Sequence, residues 1–136
     1  MTHTVLTIED QPDIRRLIRM TLEFKGFTVL EASNGEDGLA LARSAQPDLV
    51  LLDVLMPGIG GLSSAKRLRA DSALCHVPIV MLSALGSASD IDAGLETGAC
   101  AYLTKPFSPV ALLALVGRLI AETPPKLSKA AIRSER

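Results

Sequence analysis

Several apolar segments of the chain end at polar side chains that could do chemistry together. One segment leads into Glu9-Asp10, another into Asp53, and two later ones into Ser83 and Lys105. Aspartate is disfavoured within strands, and its charge is costly to bury without partners. We therefore expect Asp53 at the carboxyl end of a buried strand, where it meets solvent and partner groups.

A shared site for these side chains would suit phosphoryl chemistry. Three carboxylates repel one another unless a cation compensates them, and Mg²⁺, with Mn²⁺ as a substitute, binds one or two carboxylates together with phosphate oxygens. No His or Cys stands at zinc-ligand spacing. Lys105 and Ser83 offer a positive charge and a hydroxyl to phosphoryl oxygens, and Asp53 is the natural nucleophile for an aspartyl phosphate.

Each of these residues also has a simpler explanation. Glu9-Asp10 could only place negative charge at a helix N-terminus, Ser83 could be a turn residue, and Lys105 could be a solvated surface charge. Asp53 alone could cap the turn that follows it. Their convergence at the ends of several strands favours the functional interpretation.

The elements that would position these residues alternate between strand and helix. The predicted strands are Val5–Ile8, Phe27–Ala32, Asp48–Leu52, Val77–Leu82 and Ala99–Leu103. A helical pattern follows each strand, which predicts an α/β fold with a doubly wound parallel sheet and helices on both faces. In the flavodoxin-like (βα)5 strand order 2-1-3-4-5, the first and third strands are neighbours, so Glu9, Asp10 and Asp53 would meet in one crevice.

Composition limits the remaining possibilities. The 136 residues suit one domain, and 48% hydrophobic with 3% aromatic residues indicates an aliphatic core. A net charge of −1 argues against direct nucleic-acid binding. Two cysteines without a CxxC pair and no signal-type N-terminus predict a cytoplasmic protein, and no apolar run could span a membrane. We expect a domain over 1–122 and a flexible tail or linker remnant, without an output domain, over 123–136.

These motifs give the chain a specific resemblance. Over about residues 4–122 it resembles a response-regulator receiver domain of two-component signalling. The matching residues are Glu9-Asp10, Asp53 within Asp-Val-Leu-Met-Pro-Gly, Ser83-Ala84, Gly98-Ala99, Tyr102 and Lys105-Pro106-Phe107. The resemblance implies that Asp53 accepts a phosphoryl group from a histidine kinase or phosphotransfer protein.

The resemblance also implies roles for the neighbouring residues. Glu9 and Asp10 would hold Mg²⁺ together with Asp53, and the backbone carbonyl of Leu55 would be a further ligand. Lys105 would bind the phosphoryl group.

Two further residues are implied to carry the response. Ser83 would move toward the new phosphoryl group, and Tyr102 would change rotamer with it. Together they would alter the surface of the fourth helix, fifth strand and fifth helix. A cis peptide is implied between Lys105 and Pro106.

The chain departs from the family pattern in ways that bear on its partners. Gly60 replaces a common Asp or Asn, so the third helix loses a side-chain cap and the loop before it should be looser. Cys100 replaces a common acidic residue. The fifth helix is apolar on more than one face, so we expect a homodimer or effector surface that includes Leu112 and Leu115; a larger share of that helix in the core is the alternative.

A second partner surface is indicated on the first helix. Arg15, Arg16 and Arg19 would lie on its exposed side, where kinases dock in the resembled family. Ordinary solvated helix charges are the alternative.

Other function classes fit less well. A haloacid-dehalogenase phosphatase needs a second Asp two positions after the nucleophile, where this chain has Leu55, and a flavin or nucleotide module lacks its glycine-rich loop. A receiver that no longer accepts phosphate is disfavoured by the intact acidic and basic residues. We expect no turnover of an external substrate beyond self-catalysed phosphotransfer and autodephosphorylation.

Overall fold

The computed structural model describes residues 2–122, which form a five-stranded parallel sheet between two layers of helices. The strands are β1 Thr4–Ile8, β2 Thr28–Ala32, β3 Leu49–Asp53, β4 Ile79–Ser83 and β5 Ala101–Thr104. The helices are α1 Pro12–Phe24, α2 Gly35–Ala45, α3 Gly60–Ala70, α4 Ala88–Glu96 and α5 Pro109–Glu122. The strand order is β2-β1-β3-β4-β5, which confirms the predicted flavodoxin-like arrangement.

The register of the sheet aligns the functional strand ends. Ile8 pairs with Leu52, and the next residue of β3, Asp53, pairs with Leu82 of β4. The last residue of β3 therefore stands beside the segment that leaves β1. This is the crevice that the strand order predicts.

Two apolar clusters, one on each face of the sheet, form the core. One joins strand residues to α2 and α3, and the other joins them to α1 and α5. Every residue of β3 and β4 is buried. The central strands are apolar along their length because helices cover both of their faces.

Local signals explain where the elements begin. Pro12 opens α1, and the side chain of Asn34 caps α2 by accepting a hydrogen bond from the backbone N–H of Asp37. Strand limits differ from the predicted ones by one or two residues. For example, β3 begins after Asp48, whose carboxylate instead accepts a hydrogen bond from the Thr4 N–H at 2.7 Å.

The fifth helix corrects one predicted surface residue. Leu112 and Val116 are fully buried and Leu119 is nearly so, and the spacing of the three residues forms the inward stripe of α5. The prediction that Leu112 belongs to a partner surface is therefore wrong. Leu115 is half-buried and packs against the same core, whereas Val110 is 75% exposed.

Two further expectations concern the ends and the length of the elements. The predicted tail, 123–136, lies outside the described residues. Within residues 2–122, α1 to α5 are all too short or too polar to cross a bilayer.

Candidate functional site

The strand ends bring three carboxylates together. Glu9 is fully buried and Asp53 nearly so, and each of the side chains of Glu9, Asp10 and Asp53 offers an oxygen within 4.8 Å of the others. One carboxylate oxygen of Asp10 is buried without a hydrogen-bond partner. An orphaned acceptor beside two further carboxylates is the donor set that a hard cation requires.

Lys105 supplies the positive charge of this cluster. Its Nζ lies 2.6 Å from Oε1 of Glu9 and 3.4 Å from Oδ2 of Asp53. It also donates to the side-chain oxygen of Gln11 at 3.3 Å. The peptide bond from Lys105 to Pro106 is cis, as the resemblance implied.

Burial gives Asp53 unusual acid–base behaviour. The pKa of Asp53 is raised to about 7: loss of solvent is the largest cause, the adjacent Glu9 carboxylate acts in the same direction, and Lys105 and the Leu55 N–H oppose the shift. The Leu55 N–H donates to Oδ1 of Asp53 at 3.2 Å. Without a cation, the site therefore tends to retain a proton.

The carboxylates open into a small cavity of about 160 Å³. Its lining comprises Asp10, Gln11, Asp53, Leu55, Ala84 and Lys105. The side chain of Leu55 is 53% exposed at the mouth. The sequence did not predict Gln11 as a site residue. Its position directly after Glu9-Asp10 was the one feature that could have indicated this role.

The β3–α3 loop, residues 54–59, is held by close backbone packing. The N–H of Gly61 donates to the carbonyl of Val54 at 3.0 Å. A Cβ on Gly61 would collide with the carbonyl oxygen of Asp53 and would lie 2.5 Å from the Cα of Val54. Gly61 therefore lets α3 rest directly on the chain that carries Asp53.

Gly60 differs from its neighbour. Its φ is +74°, and a Cβ there would meet no atom within 4 Å. As predicted, no side chain caps the N-terminus of α3, where Ile59 is the N-cap residue. The loop has other contacts instead. The Glu36 carboxylate accepts a hydrogen bond from the Ile59 N–H at 3.5 Å, and the Ser64 hydroxyl donates to the Gly60 carbonyl at 2.6 Å. The left-handed backbone is what Gly, Asn and Asp have in common at this position.

Ser83 and Tyr102 are joined through the backbone of one residue, Leu85, in the β4–α4 loop, residues 84–87. The Leu85 N–H donates to Oγ of Ser83 at 3.0 Å, and the Leu85 carbonyl accepts from the Tyr102 hydroxyl at 2.7 Å. The ring of Tyr102 lies against Gly94, where a Cβ would approach the ring to 2.8 Å. Leu85 and Gly94 were not identified from the sequence, because one acts through its backbone and the other through the lack of a side chain.

The three arginines of α1 do not share one environment. Arg16 is exposed. Arg19 is also exposed but forms ion pairs with Glu23 at 3.3 Å and Glu31 at 2.9 Å. Arg15 turns toward the acidic segment, Glu9-Asp10, and donates a hydrogen bond to the Glu9 carbonyl at 2.8 Å.

The sequence comparisons agree with this geometry. The response regulator receiver domain model matches residues 5–117. The chain belongs to the response regulator receiver family. Within two-component systems, such a domain is the receiving part of a response regulator.

Named relatives support the assignment. The phosphate regulon transcriptional regulatory protein PhoB of Pseudomonas aeruginosa is 40% identical over 129 residues, which cover 95% of this chain and 56% of that protein. The chain spans about half the length of the curated relatives it matches.

Solved structures are similar in fold. A putative response regulator from Chloroflexus aurantiacus J-10-fl has a TM-score of 0.86 at 36% identity and covers 90% of this chain and 100% of its own. The receiver domain of sensor histidine kinase PA1611 from Pseudomonas aeruginosa PAO1, with a magnesium ion coordinated in its active site cleft, has a TM-score of 0.84 at 28% identity. It covers 90% of this chain and 100% of that one.

Proposed function

We propose that Asp53 accepts a phosphoryl group from a histidine kinase or phosphotransfer protein. The observation that carries this proposal is a nearly buried Asp53 beside Glu9, Asp10 and Lys105 at the wall of one small cavity. An Asp53 oxygen attacks phosphorus, the phosphorus–nitrogen bond of the donor breaks, and the donor histidine takes a proton. Lys105 pairs with the phosphoryl oxygens.

The carboxylates favour Mg²⁺, with Mn²⁺ as a substitute. Glu9, Asp10 and Asp53 would hold the ion, with the backbone carbonyl of Leu55 as a further ligand. When bound, the ion neutralises negative charge on the carboxylates and the phosphoryl oxygens. The unpartnered oxygen of Asp10 supports this assignment because a buried acceptor without a donor is costly.

The response to phosphate would begin at Ser83. A hydroxyl that turns toward phosphoryl oxygens gives up its bond to the Leu85 N–H, and the carbonyl of that same residue holds the Tyr102 hydroxyl. Tyr102 is thereby coupled to the state of Asp53. The new phosphoryl group can shift this equilibrium only through its different contacts in the two states.

Two surfaces would serve partners. An effector or a second copy would bind α4, β5 and α5, where Leu115 and Val110 contribute apolar area, and a kinase would dock on α1 at Arg16 and Arg19. The protein would act in the cytoplasm, without binding nucleic acid directly and without turning over an external substrate.

Intact mass after exposure to a small phosphodonor and Mg²⁺ tests the central proposal. The wild-type protein should gain one phosphoryl group, and the gain should vanish in Asp53→Asn and with a chelator. Asp37→Asn, a change at an exposed α2 carboxylate, is the matched control and should still gain phosphate. A wild-type protein without an Mg²⁺-dependent adduct would contradict the proposal.

Sedimentation with and without the phosphodonor tests the proposed homodimer. Phosphorylation should shift the protein toward a dimer, because the apolar area on α4, β5 and α5 would gain a partner. A protein that stays monomeric at high concentration in both conditions would contradict the homodimer.

A further inference from the structure

Arg15 connects the acidic segment to the neighbouring strand β2. Its Nη1 donates to the carbonyl oxygen of Glu9 at 2.8 Å, and its Nε lies 3.8 Å from Oε1 of Glu31. The Arg15 side chain is only 23% exposed. Although it belongs to α1, it reaches back to the backbone of Glu9 and is mostly shielded from solvent.

The Glu9 carbonyl that accepts this hydrogen bond lies between the two acidic residues. It belongs to the peptide bond that joins Glu9 to Asp10, just after β1 ends at Ile8. The Glu9 N–H donates to the Ala32 carbonyl of β2 at 3.0 Å. Both backbone polar groups of Glu9 are therefore held: β2 binds its N–H, and Arg15 binds its carbonyl, which is part of the peptide bond between the two acidic residues.

Other residues hold Arg15 in turn. The second oxygen of Glu31 accepts from Arg19 at 2.9 Å, and Glu31 pairs in register with Thr7 of β1. Partly exposed ion pairs of this kind contribute little to stability. Their main effect here is to orient the Arg15 guanidinium. Its N–H donors lie in one rigid plane, so contacts with Glu31 and with the Glu9 carbonyl together fix its orientation.

Charge alone would make Arg15 unfavourable here. A guanidinium close to a cation site repels the cation, but the Glu31 carboxylate compensates Arg15. Because Glu31 balances its charge, Arg15 acts mainly by geometry. It supplies a strong hydrogen-bond donor to the backbone of Glu9. Residues that orient metal ligands in this manner typically affect metal affinity by about 10- to 100-fold.

We infer that Arg15 is a positioning residue for the metal site, which fixes Glu9 and Asp10 through the Glu9 carbonyl and so sets the affinity for Mg²⁺. The inference rests on the proposed function, because it requires that the carboxylates bind Mg²⁺. It removes Arg15 from the expected kinase-docking surface and leaves Arg16 and Arg19 there.

Calorimetric titration with MgCl₂ tests this role on the full chain. Arg15→Ala should weaken Mg²⁺ binding by roughly tenfold. Arg15→Lys, which can still donate to the Glu9 carbonyl, should recover part of the affinity, and Glu31→Gln should give an intermediate loss. Arg16→Ala is the matched control: it removes an exposed arginine of the same helix and should change the affinity by less than about twofold.

Urea denaturation in a chelator separates positioning from general stability. The Lys and Gln variants should unfold at nearly the wild-type urea concentration while binding Mg²⁺ more weakly. Equal Mg²⁺ affinity in all variants would overturn the inference, as would losses that follow stability with no recovery by Lys. If the wild-type protein itself binds no Mg²⁺, the proposed metal site fails, and with it the inference; if the wild type binds and Arg15→Ala matches it, only the inference fails.

Discussion

The two loops beside Asp53 are held by different kinds of contact. In the β3–α3 loop, the backbone of Gly61 rests on the backbone at Asp53 and Val54. In the β4–α4 loop, two side-chain hydrogen bonds converge on the backbone of Leu85, one at its N–H and one at its carbonyl. The first arrangement cannot relax by a change of rotamer, whereas the second can.

Under the proposed function, this difference would separate acceptance of a phosphoryl group from the response to it. Close packing keeps the Asp53 side of the site in one geometry. A neutral hydrogen bond contributes only about 0.5 to 1.5 kcal/mol, so the Leu85 side can rearrange at small cost. A small chemical change can therefore shift one loop while the other stays in place.

The largest expected effect is from Gly61→Ala, which attacks the packed loop. The new Cβ would collide with backbone that cannot rotate away, so the free energy of unfolding should fall by about 3 kcal/mol or more. Urea denaturation followed by circular dichroism measures it. The control is Gly117→Ala in α5. A Cβ added to Gly117 would meet no atom within 4 Å, so this change should be neutral or slightly stabilising. A loss below about 1 kcal/mol for Gly61→Ala would contradict the close packing of this loop.

Asp53→Asn should have the next largest effect, with the opposite sign. The pKa of Asp53 is raised to about 7 in the folded protein, so its contribution to stability is present at low pH and is lost as the pH rises through that value. In a chelator at pH 8, the variant should be more stable than the wild type by roughly 2 kcal/mol. The gap should close near pH 4, and parallel pH profiles would contradict the assigned pKa.

Gly60→Ala sharpens the contrast with the adjacent glycine. Only the left-handed backbone opposes this substitution, which should cost roughly 1 kcal/mol, and Gly60→Asn should cost less because Asn tolerates that conformation. Urea midpoints of both variants measure the difference. If Gly60→Ala costs as much as Gly61→Ala, steric contact with Asp53 is not what distinguishes the two positions.

Tyr102→Phe should have the smallest effect on stability, below about 1 kcal/mol, since it removes one hydrogen bond to Leu85. Its effect should appear in amide hydrogen exchange, which should accelerate at 84–87 and stay unchanged at 54–59. Ser83→Ala is the companion variant, because it frees the Leu85 N–H directly. Equal acceleration in both loops would contradict the separation of acceptance and response.

The sequence predicted the sheet and the gathering of its acidic residues because parallel strands deliver their carboxyl ends to one edge. Glu9, Asp10, Asp53 and Lys105 follow from that rule. Which side of a helix faces the core was harder to predict from the sequence. An α5 that is apolar on several faces did not reveal that Leu112 points inward.

Long-range contacts account for the other differences. The sequence marked Arg15 as a surface charge, because the Glu9 carbonyl that it binds is a backbone group with no sequence signature. Gly61 was not identified from the sequence. Its steric role depends on how closely α3 approaches Asp53, which spacing along the chain does not specify.

Tyr102 also gives the protein a built-in optical probe. It is the only tyrosine in a chain that contains no tryptophan, so intrinsic ultraviolet fluorescence comes almost entirely from this one ring. Its hydroxyl is bound to the Leu85 carbonyl, and its ring lies against Gly94. Any rearrangement of the β4–α4 loop that breaks this bond will change the emission of an unlabelled sample, so the loop can be followed in real time without adding a dye.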